Sequence, residues 1–297
     1  MDFLKLELDC LDKLRPYLME NRCRICDCTA GGTFIWRDFH NTTYAVEDGV
    51  LYLKVTYPAP AFAPPRGKNA SRESYDRILE YCSENDMKPL LRSVSEADLK
   101  RILEMFPGSE VINNRNWSDY LYHSSDLMHL DGRKFAGQRN HINRFLREYT
   151  DWSFERISDD NIDSARKYVE KFAREFKKDA AVYMEGNRKA LEVLDNLELY
   201  GQFGGVLFVA REVVGVSLGE IMGDTLFIHA EKADTTYYGS YPMLMNQFAL
   251  CFSTEDIIYI NREEDDGVEG LRKSKMSYHP IELLNKYFVE LKQLHNA

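Results

Sequence analysis

The run LFIHAEKAD (226–234) places an imidazole, His229, two residues before a carboxylate, Glu231. Strand alternation puts Phe227, His229 and Glu231 on one side and Leu226, Ile228, Ala230 and Lys232 on the other. A histidine beside a carboxylate can act as a general base whose pKa is set by burial and charge, although a core ion pair uses the same residues. Glu220, on the preceding run, can sit across from them. The segment YINREEDDGVEGLRKSKMSYHP (259–280) is the most distinctive, with nine acidic and basic residues plus His279 around Gly267 and Gly270. Scaffolds tend to place working groups on charged loops at strand ends. Local pairing of Arg262 with Asp265 or Asp266 is the competing account. Read as a site, the segment supplies Arg262 and Lys275 to stabilise a developing oxyanion or a donor phosphate, with Glu263 as a carboxylate in the same cleft.

A third stretch, RKFAGQRNHINRFLR (133–147), has five basic residues and no acidic one in a chain that is acidic overall. On a helix, Arg139, Asn140, Asn143 and Arg147 share a face while Ile142, Phe145 and Leu146 turn inward. That face suits the phosphates of a diphosphate, a coenzyme A tail or the acceptor end of an RNA. An ordinary basic helix pairing with Glu148 and Asp151 is the alternative. Tyr238, Gly239 and Ser240 lie just before an apolar helical run, where a helix N-terminus can receive a donor's phosphates. Cys23, Cys26 and Cys28 have the C-x-x-C-x-C spacing of half a zinc site. No second Cys/His pair follows, so no metal is expected there and the thiols read as packed or reactive.

The elements that must position these residues follow from periodicity and punctuation. A helix is predicted over 3–20, then a turn at Ala30-Gly31-Gly32 and strands over 33–39, 43–46 and 50–57. Asp48-Gly49 marks a hairpin. A proline-rich loop (57–68) leads to a helix over 71–85, a strand over 88–94, a helix over 95–105 and a strand over 109–113. A long helix is predicted over 130–149, then helices over 161–176 and 188–199. Strands over 206–210, 213–222 and 225–233 precede a helix over 243–252 and a strand over 256–261. The order three strands, loop, helix, strand occurs twice, which implies a duplicated α+β module: residues 1–125, a connecting basic helix at 126–150, and residues 151–297.

The chain has 297 residues, 44% of them hydrophobic, which is enough for a buried core. With 38 Lys and Arg against 48 Asp and Glu, the net charge of −10 excludes a generic nucleic-acid coat. No apolar run is long enough to span a bilayer and no signal peptide is legible, so a soluble cytoplasmic protein is expected. Phosphate-loop, dinucleotide, zinc-protease and serine-hydrolase motifs are absent from the sequence. An acyltransferase of the GNAT type needs none of them.

The segments DYLYHSSDLMHLDGRKFAGQRNHINRFLREY (119–149), HAEKAD (229–234) and 259–280 together resemble soluble bacterial relatives of the C-terminal domain of phosphatidylglycerol lysyltransferase. The resemblance runs from about Phe34 to the end of the chain. It implies two tandem GNAT-like domains, similar to Fem-type aminoacyltransferases, each a mostly antiparallel mixed sheet flanked by helices. It also implies transfer of an aminoacyl group from aminoacyl-tRNA to an amine or hydroxyl acceptor, either a small molecule or a lipid head group, with no tightly bound cofactor. The chain lacks the family's transmembrane half, which leaves the lipid acceptor open. An acetyl-CoA-dependent N-acetyltransferase, and a catalytically degenerate GNAT pair that binds a ligand or partner, are the alternatives. The oligomeric state is not legible.

Overall fold

In the computed structural model, which describes residues 1–19, 23–175 and 181–292, Asp48 and Gly49 both have positive φ, 51° and 76°. They close the hairpin between β2 (Thr43–Glu47) and β3 (Val50–Val55). With β1 (Leu4–Lys5), β4 (Ala61–Phe62), β5 (Leu90–Val94) and β6 (Glu110–Asn113), these strands build a first sheet. The next seven are β7 (Asp119–His123), β8 (Trp152–Arg156), β9 (Phe203–Val209), β10 (Glu212–Met222), β11 (Thr225–Ala233), β12 (Tyr259–Asn261) and β13 (Glu282–Leu284). They form a second sheet in the order β13-β7-β12-β11-β10-β9-β8. The last strand, β14 (Tyr287–Glu290), returns to the first sheet, whose order is β1-β2-β3-β4-β5-β14-β6.

Two compact units result. One takes Met1–Asp119, Glu264–Gly267 and the chain from Leu284 onward, and the other takes Tyr120–Glu263 and Val268–Leu283. In the first, β4 pairs parallel with β5 and a helix, Arg72–Glu84, connects them. In the second, β11 pairs parallel with β12 through the helix Ser240–Phe252. An antiparallel hairpin precedes the parallel pair in each unit. Each unit is therefore a GNAT-like α+β module, and the chain is a tandem of two.

The core of the first unit gathers Tyr52, Phe62, Ile78, Leu91, Ile102 and Val289. In the second unit Tyr120, Leu226, Met245, Phe248 and Ile260 pack together, and Phe145, Leu207 and Leu244 form a further cluster. The helix Arg72–Glu84 starts at its N-cap, Ser71, in a capping box with Ser74. At Ser95, which caps the helix Glu96–Met105, the side chain accepts from the Asp98 N–H.

Elsewhere the structure corrects the sequence reading. The expected turn and strand over 30–39 form a helix, Ala30–Ile35, because Thr29 Oγ1 accepts from Gly32 N at 2.8 Å and caps it. Only Ala136–Glu148 of the long helix over 130–149 is α-helical, since Leu130 and Gly132 have positive φ. The predicted helix over 3–20 is a strand, a 3-10 turn and a helix ending at Met19, and its last residue lies outside the described residues. Phe176, the last residue of another predicted helix, also lies outside them. Residues 120–123, expected in the first half, add β7 to the second sheet, and 287–290, expected in the second, add β14 to the first.

Candidate functional site

In the second unit, β11 carries a bulge. Leu218 pairs with Ala230 but Gly219 pairs with Ile228, so His229 is the extra residue. The bulge shifts the pleat. Glu231, opposite Ser217, leaves the face of Phe227, which lies opposite Glu220. The expectation that His229 and Glu231 share a face is therefore overturned.

His229 is enclosed by two carboxylates. Its Nε2 lies 2.7 Å from Glu220 Oε1, its Nδ1 lies 2.7 Å from Glu263 Oε1, and the side chain is 1% exposed. Burial works against the imidazolium, but the hydrogen bonds to Glu220 and Glu263 outweigh it and raise the pKa to about 10. Both ring nitrogens then donate, and at neutral pH the ring has no lone pair with which to act as the base read from the sequence. Glu263 reaches His229 from a backbone with φ of 56°, held by its N–H to Asn261 Oδ1 at 2.6 Å. Non-glycine residues enter that region at an energetic cost and tend to do so at functional sites.

Arg262, the preceding residue, is 7% exposed. Its Nε and Nη2 donate to Glu231 Oε2 at 3.1 and 2.7 Å, and its guanidinium stacks on the Tyr278 ring at 4.9 Å. Burial opposes its charge, but Glu231 overrides that and keeps Arg262 ionised. Glu231 Oε1 and Arg262 Nη1 are both buried and have no hydrogen-bond partner among the described residues. Each such buried polar atom costs ~1–3 kcal/mol if left unsatisfied. Lys275, expected beside the reacting carbonyl, donates to the backbone oxygens of Arg262 at 2.5 Å and Glu263 at 3.3 Å and so fastens the loop. Lys275 lies on a helix, Glu269–Met276, within what was read as loop. Lys232, which was not among the expected site residues, is half-buried and pushed down to about 8 by desolvation, and its Nζ donates to Asn187 Oδ1 at 2.5 Å.

The basic helix Ala136–Glu148 divides its residues. Arg139 donates to the carbonyls of Leu130 and Gly132, so its cation caps the preceding turn. Asn140, Asn143 and Arg147 are exposed. The loop ahead of Ser240–Phe252 is satisfied internally. Ser240 Oγ donates to Asp234 O at 2.7 Å, and Tyr238 N donates to Tyr149 OH at 3.1 Å. Gly239 has φ of 81°, and a Cβ there would lie 2.6 Å from His141 O.

The first unit holds a buried cluster that the sequence did not signal. Lys286 Nζ lies 2.6 Å from Asp27 Oδ2, 2.7 Å from Asp119 Oδ1, 2.8 Å from Glu264 Oε2 and 3.1 Å from Cys26 Sγ. Cys26, Asp119 and Glu264 have the spacing of a metal site, but the Lys286 ammonium stands where a cation would. Burial raises Asp119 to about 7, with Lys286 opposing. Asp27 is held well below the usual range because Lys286, Arg92 and Ser93 outweigh its burial. The four partners of Lys286 come from three separate parts of the chain, Cys26-Asp27, Asp119 and Glu264, so no local spacing reveals the cluster. The positive φ of Ser93, whose hydroxyl donates to Asp27 at 2.6 Å, marks its edge.

The model of the phosphatidylglycerol lysyltransferase C-terminal family matches residues 24–290. The chain belongs to that family. It is 31% identical to a conserved protein of unknown function from Bacteroides thetaiotaomicron, with a TM-score of 0.90 over 98% of this chain and 100% of that one. L-PGS from Bacillus licheniformis superposes with a TM-score of 0.65 at 14% identity, covering 95% of this chain and 93% of that one, a likeness of fold. An uncharacterized protein of Mycoplasmoides gallisepticum is 22% identical over 187 residues, 61% of this chain and 58% of that protein. The match thus spans little more than half the length of this curated relative. The transfer for which the family is named is an acyl transfer. Among the described residues, no helix is long and apolar enough to cross a membrane.

Proposed function

We propose that the second unit transfers an aminoacyl group from an aminoacyl-tRNA to an amine or hydroxyl acceptor, with Arg262 and Glu231 as the reacting pair. One observation carries this reading: a buried ion pair that keeps one guanidinium nitrogen and one carboxylate oxygen, Arg262 Nη1 and Glu231 Oε1, without partners among the described residues. Acyl transfer needs those two valences. An N–H on a fixed cation stabilises the oxyanion that forms at the donor carbonyl, and a carboxylate oxygen accepts the proton of the attacking amine or hydroxyl. His229, Glu220 and Glu263 then act by holding the bulge and the 262–263 backbone. Lys275 fastens the same backbone from the other side.

Charged tRNA is favoured over acyl-CoA as donor because the loop 234–240, where a coenzyme diphosphate would meet the helix N-terminus, spends its polar groups internally. Exposed Asn140, Asn143 and Arg147 form the phosphate-facing surface of this reading, and Arg139 serves the backbone. The acceptor's class follows the family name only as far as amine or hydroxyl, with a lipid head group or a small molecule as the two sources.

The test follows label from a pool of tRNA charged with radioactive amino acids into the lipid and water-soluble fractions of a cell extract, with acetyl-CoA turnover measured in parallel. The expected result is protein-dependent transfer from tRNA that falls at least about tenfold in Glu231→Gln, with the rate taken per folded protein because the substitution leaves the buried Arg262 cation without its counter-charge. Acetyl-CoA turnover without tRNA deacylation replaces the donor assignment, and inactivity with both donors defeats the reading.

A further inference from the structure

We infer that the first unit carries a ligand site of its own at Arg92, and that this site takes a singly charged carboxylate on an apolar body. The two units build the same device at the same register. In the second, the parallel pair β11 and β12 ends with Phe227 opposite Asn261, and Arg262 follows. In the first, β4 meets β5 with Phe62 opposite Leu91, and Arg92 follows. Each arginine opens a bulge. Arg262 N donates to Tyr120 O at 3.1 Å and Tyr120 N donates to Glu263 O at 3.2 Å, so two residues face one. Arg92 and Ser93 likewise face Phe288 alone, between the pairs Leu91–Val289 and Val94–Tyr287. The second residue of each bulge has positive φ, 51° at Ser93 and 56° at Glu263. Each arginine keeps its Nη1 buried and without a hydrogen-bond partner among the described residues.

The two sites differ in what meets the cation. Arg262 has Glu231. Arg92 instead donates from Nη2 to His40 Nε2 at 3.2 Å. A guanidinium only donates, so Nε2 accepts and the ring proton sits on Nδ1, which donates to Tyr57 O at 3.1 Å. His40 is therefore neutral, and burial together with the Arg92 charge holds it down to about 4. Asp27 and Glu264 lie within electrostatic reach of Arg92, but no ion pair joins them to it among the described residues. Both oxygens of Asp27 are taken, by Lys286 and by the Ser93 hydroxyl, and Glu264 Oε2 pairs with Lys286. The carboxylate that the second unit supplies from its own chain is missing at Arg92, and a ligand can bring it.

The surroundings select that ligand. A carboxylate oxygen on Arg92 Nη1 makes a charge-assisted hydrogen bond and satisfies a buried polar atom. The nearby Asp27 and Glu264 charges oppose a phosphate dianion more strongly than a single carboxylate. Aromatic rings stand beside His40. Phe39 lies edge-on to His40 at 5.2 Å, to Tyr57 at 5.3 Å and to Trp36 at 5.8 Å. None of the four is fully buried, so an apolar body can rest against them while its carboxylate reaches Arg92. The site stands whether or not the second unit transfers an aminoacyl group.

The experiment titrates the full chain with benzoate and, separately, with inorganic phosphate, by calorimetry in slightly alkaline buffer where phosphate is a dianion. Benzoate should bind saturably and phosphate more weakly. Arg92→Gln should weaken benzoate at least about tenfold, as the loss of one hydrogen bond to a charged group implies. Benzoate should also move the His40 imidazole resonance of the unsubstituted chain, identified as the one missing from His40→Gln. That shift reads the site however well or badly Arg92→Gln folds. No saturable benzoate binding, phosphate bound as tightly as benzoate, undiminished binding in a folded Arg92→Gln, or an unmoved His40 resonance would each overturn the inference.

Discussion

Arg262 reads from sequence as a loop cation whose removal slows the reaction and spares the fold. The structure changes that expectation. Removing the guanidinium leaves the buried Glu231 carboxylate without its partner, a change that costs ~3–5 kcal/mol in comparable pairs. Arg262→Ala is therefore expected to lose activity and to melt well below the parent chain, as calorimetry on the assayed sample would show. Equal melting temperatures would mean the pair is solvated. Glu231→Gln keeps size and a hydrogen-bond acceptor for Arg262 but removes its counter-charge, so it too should melt below the parent and its rate is read on the folded fraction. His229 gives a pH signature. Its folded pKa, about 10, stands above the ordinary 6.5, so its stabilisation is complete below about pH 6.5 and is lost as pH rises through about 10. The melting-temperature gap between the parent and His229→Gln should be widest at about pH 6.5 and narrow steadily toward pH 10. A gap that widens with pH would show that the ring is neutral in the fold. The residue types of this site were legible, because His229, Glu231, Arg262 and Glu263 stand out in a strand and at a strand end. Which of them pair was not, since one extra residue in β11 reassigns every partner after it.

Helix starts and the central strands could be read because their signals are local: Ser71 and Ser95 cap within one turn, and the meander β9-β10-β11 alternates between clear turns. Three kinds of element escaped. The helix Ala30–Ile35 hides behind two glycines, which by propensity argue for a turn. The strand β14 has a short apolar run whose neighbours, β5 and β6, lie far away in sequence. The helix Glu269–Met276 has no buried residue, so no apolar stripe marks it. Gly239 supplies a prediction at this scale. Its φ of 81° and the 2.6 Å approach of His141 O leave no room for a side chain. Gly239→Ala should cost ~1–2 kcal/mol from the left-handed conformation alone, and more if the helix Ala136–Glu148 has to shift. A urea midpoint unchanged from the parent would show that the loop yields freely.

Across the whole molecule, the repeated element order is the property that sequence conveyed best, and the assignment of chain segments to units the one it conveyed least. Strand β14 lies inside the first sheet, between β5 and β6, and Lys286 just before it gathers Asp27, Asp119 and Glu264. Lys286→Met removes the cation and leaves three carboxylates facing one another. At pH 5 Asp119, with its value near 7, carries a proton and eases the repulsion. Toward pH 8 the parent's Asp119 loses that proton beside the Lys286 cation, whereas the variant's loses it only against its two neighbouring carboxylates. The substitution should therefore destabilise more at pH 8 than at pH 5, and calorimetry showing the opposite order would place the cluster's charge elsewhere. Ending the chain after Leu283 should abolish the first unit's cooperative transition rather than fray an edge, because β6 would lose its neighbour in the sheet.

The same strand bears on how the protein is made. A ribosome delivers the chain from its N-terminus, and a domain contiguous in sequence can fold once its last residue clears the exit tunnel. Here the unit that begins first is finished last. Residues 1–119 must wait, without the strand that joins β5 to β6, while more than half the polypeptide is still to be synthesised. The unit spanning Tyr120–Leu283 has all its strands before β14 emerges. Stalling a C-terminally extended chain so that only residues up to 283 have cleared the tunnel should leave a protease-resistant second unit attached to digestible residues 1–119, the reverse of the usual order along a nascent chain.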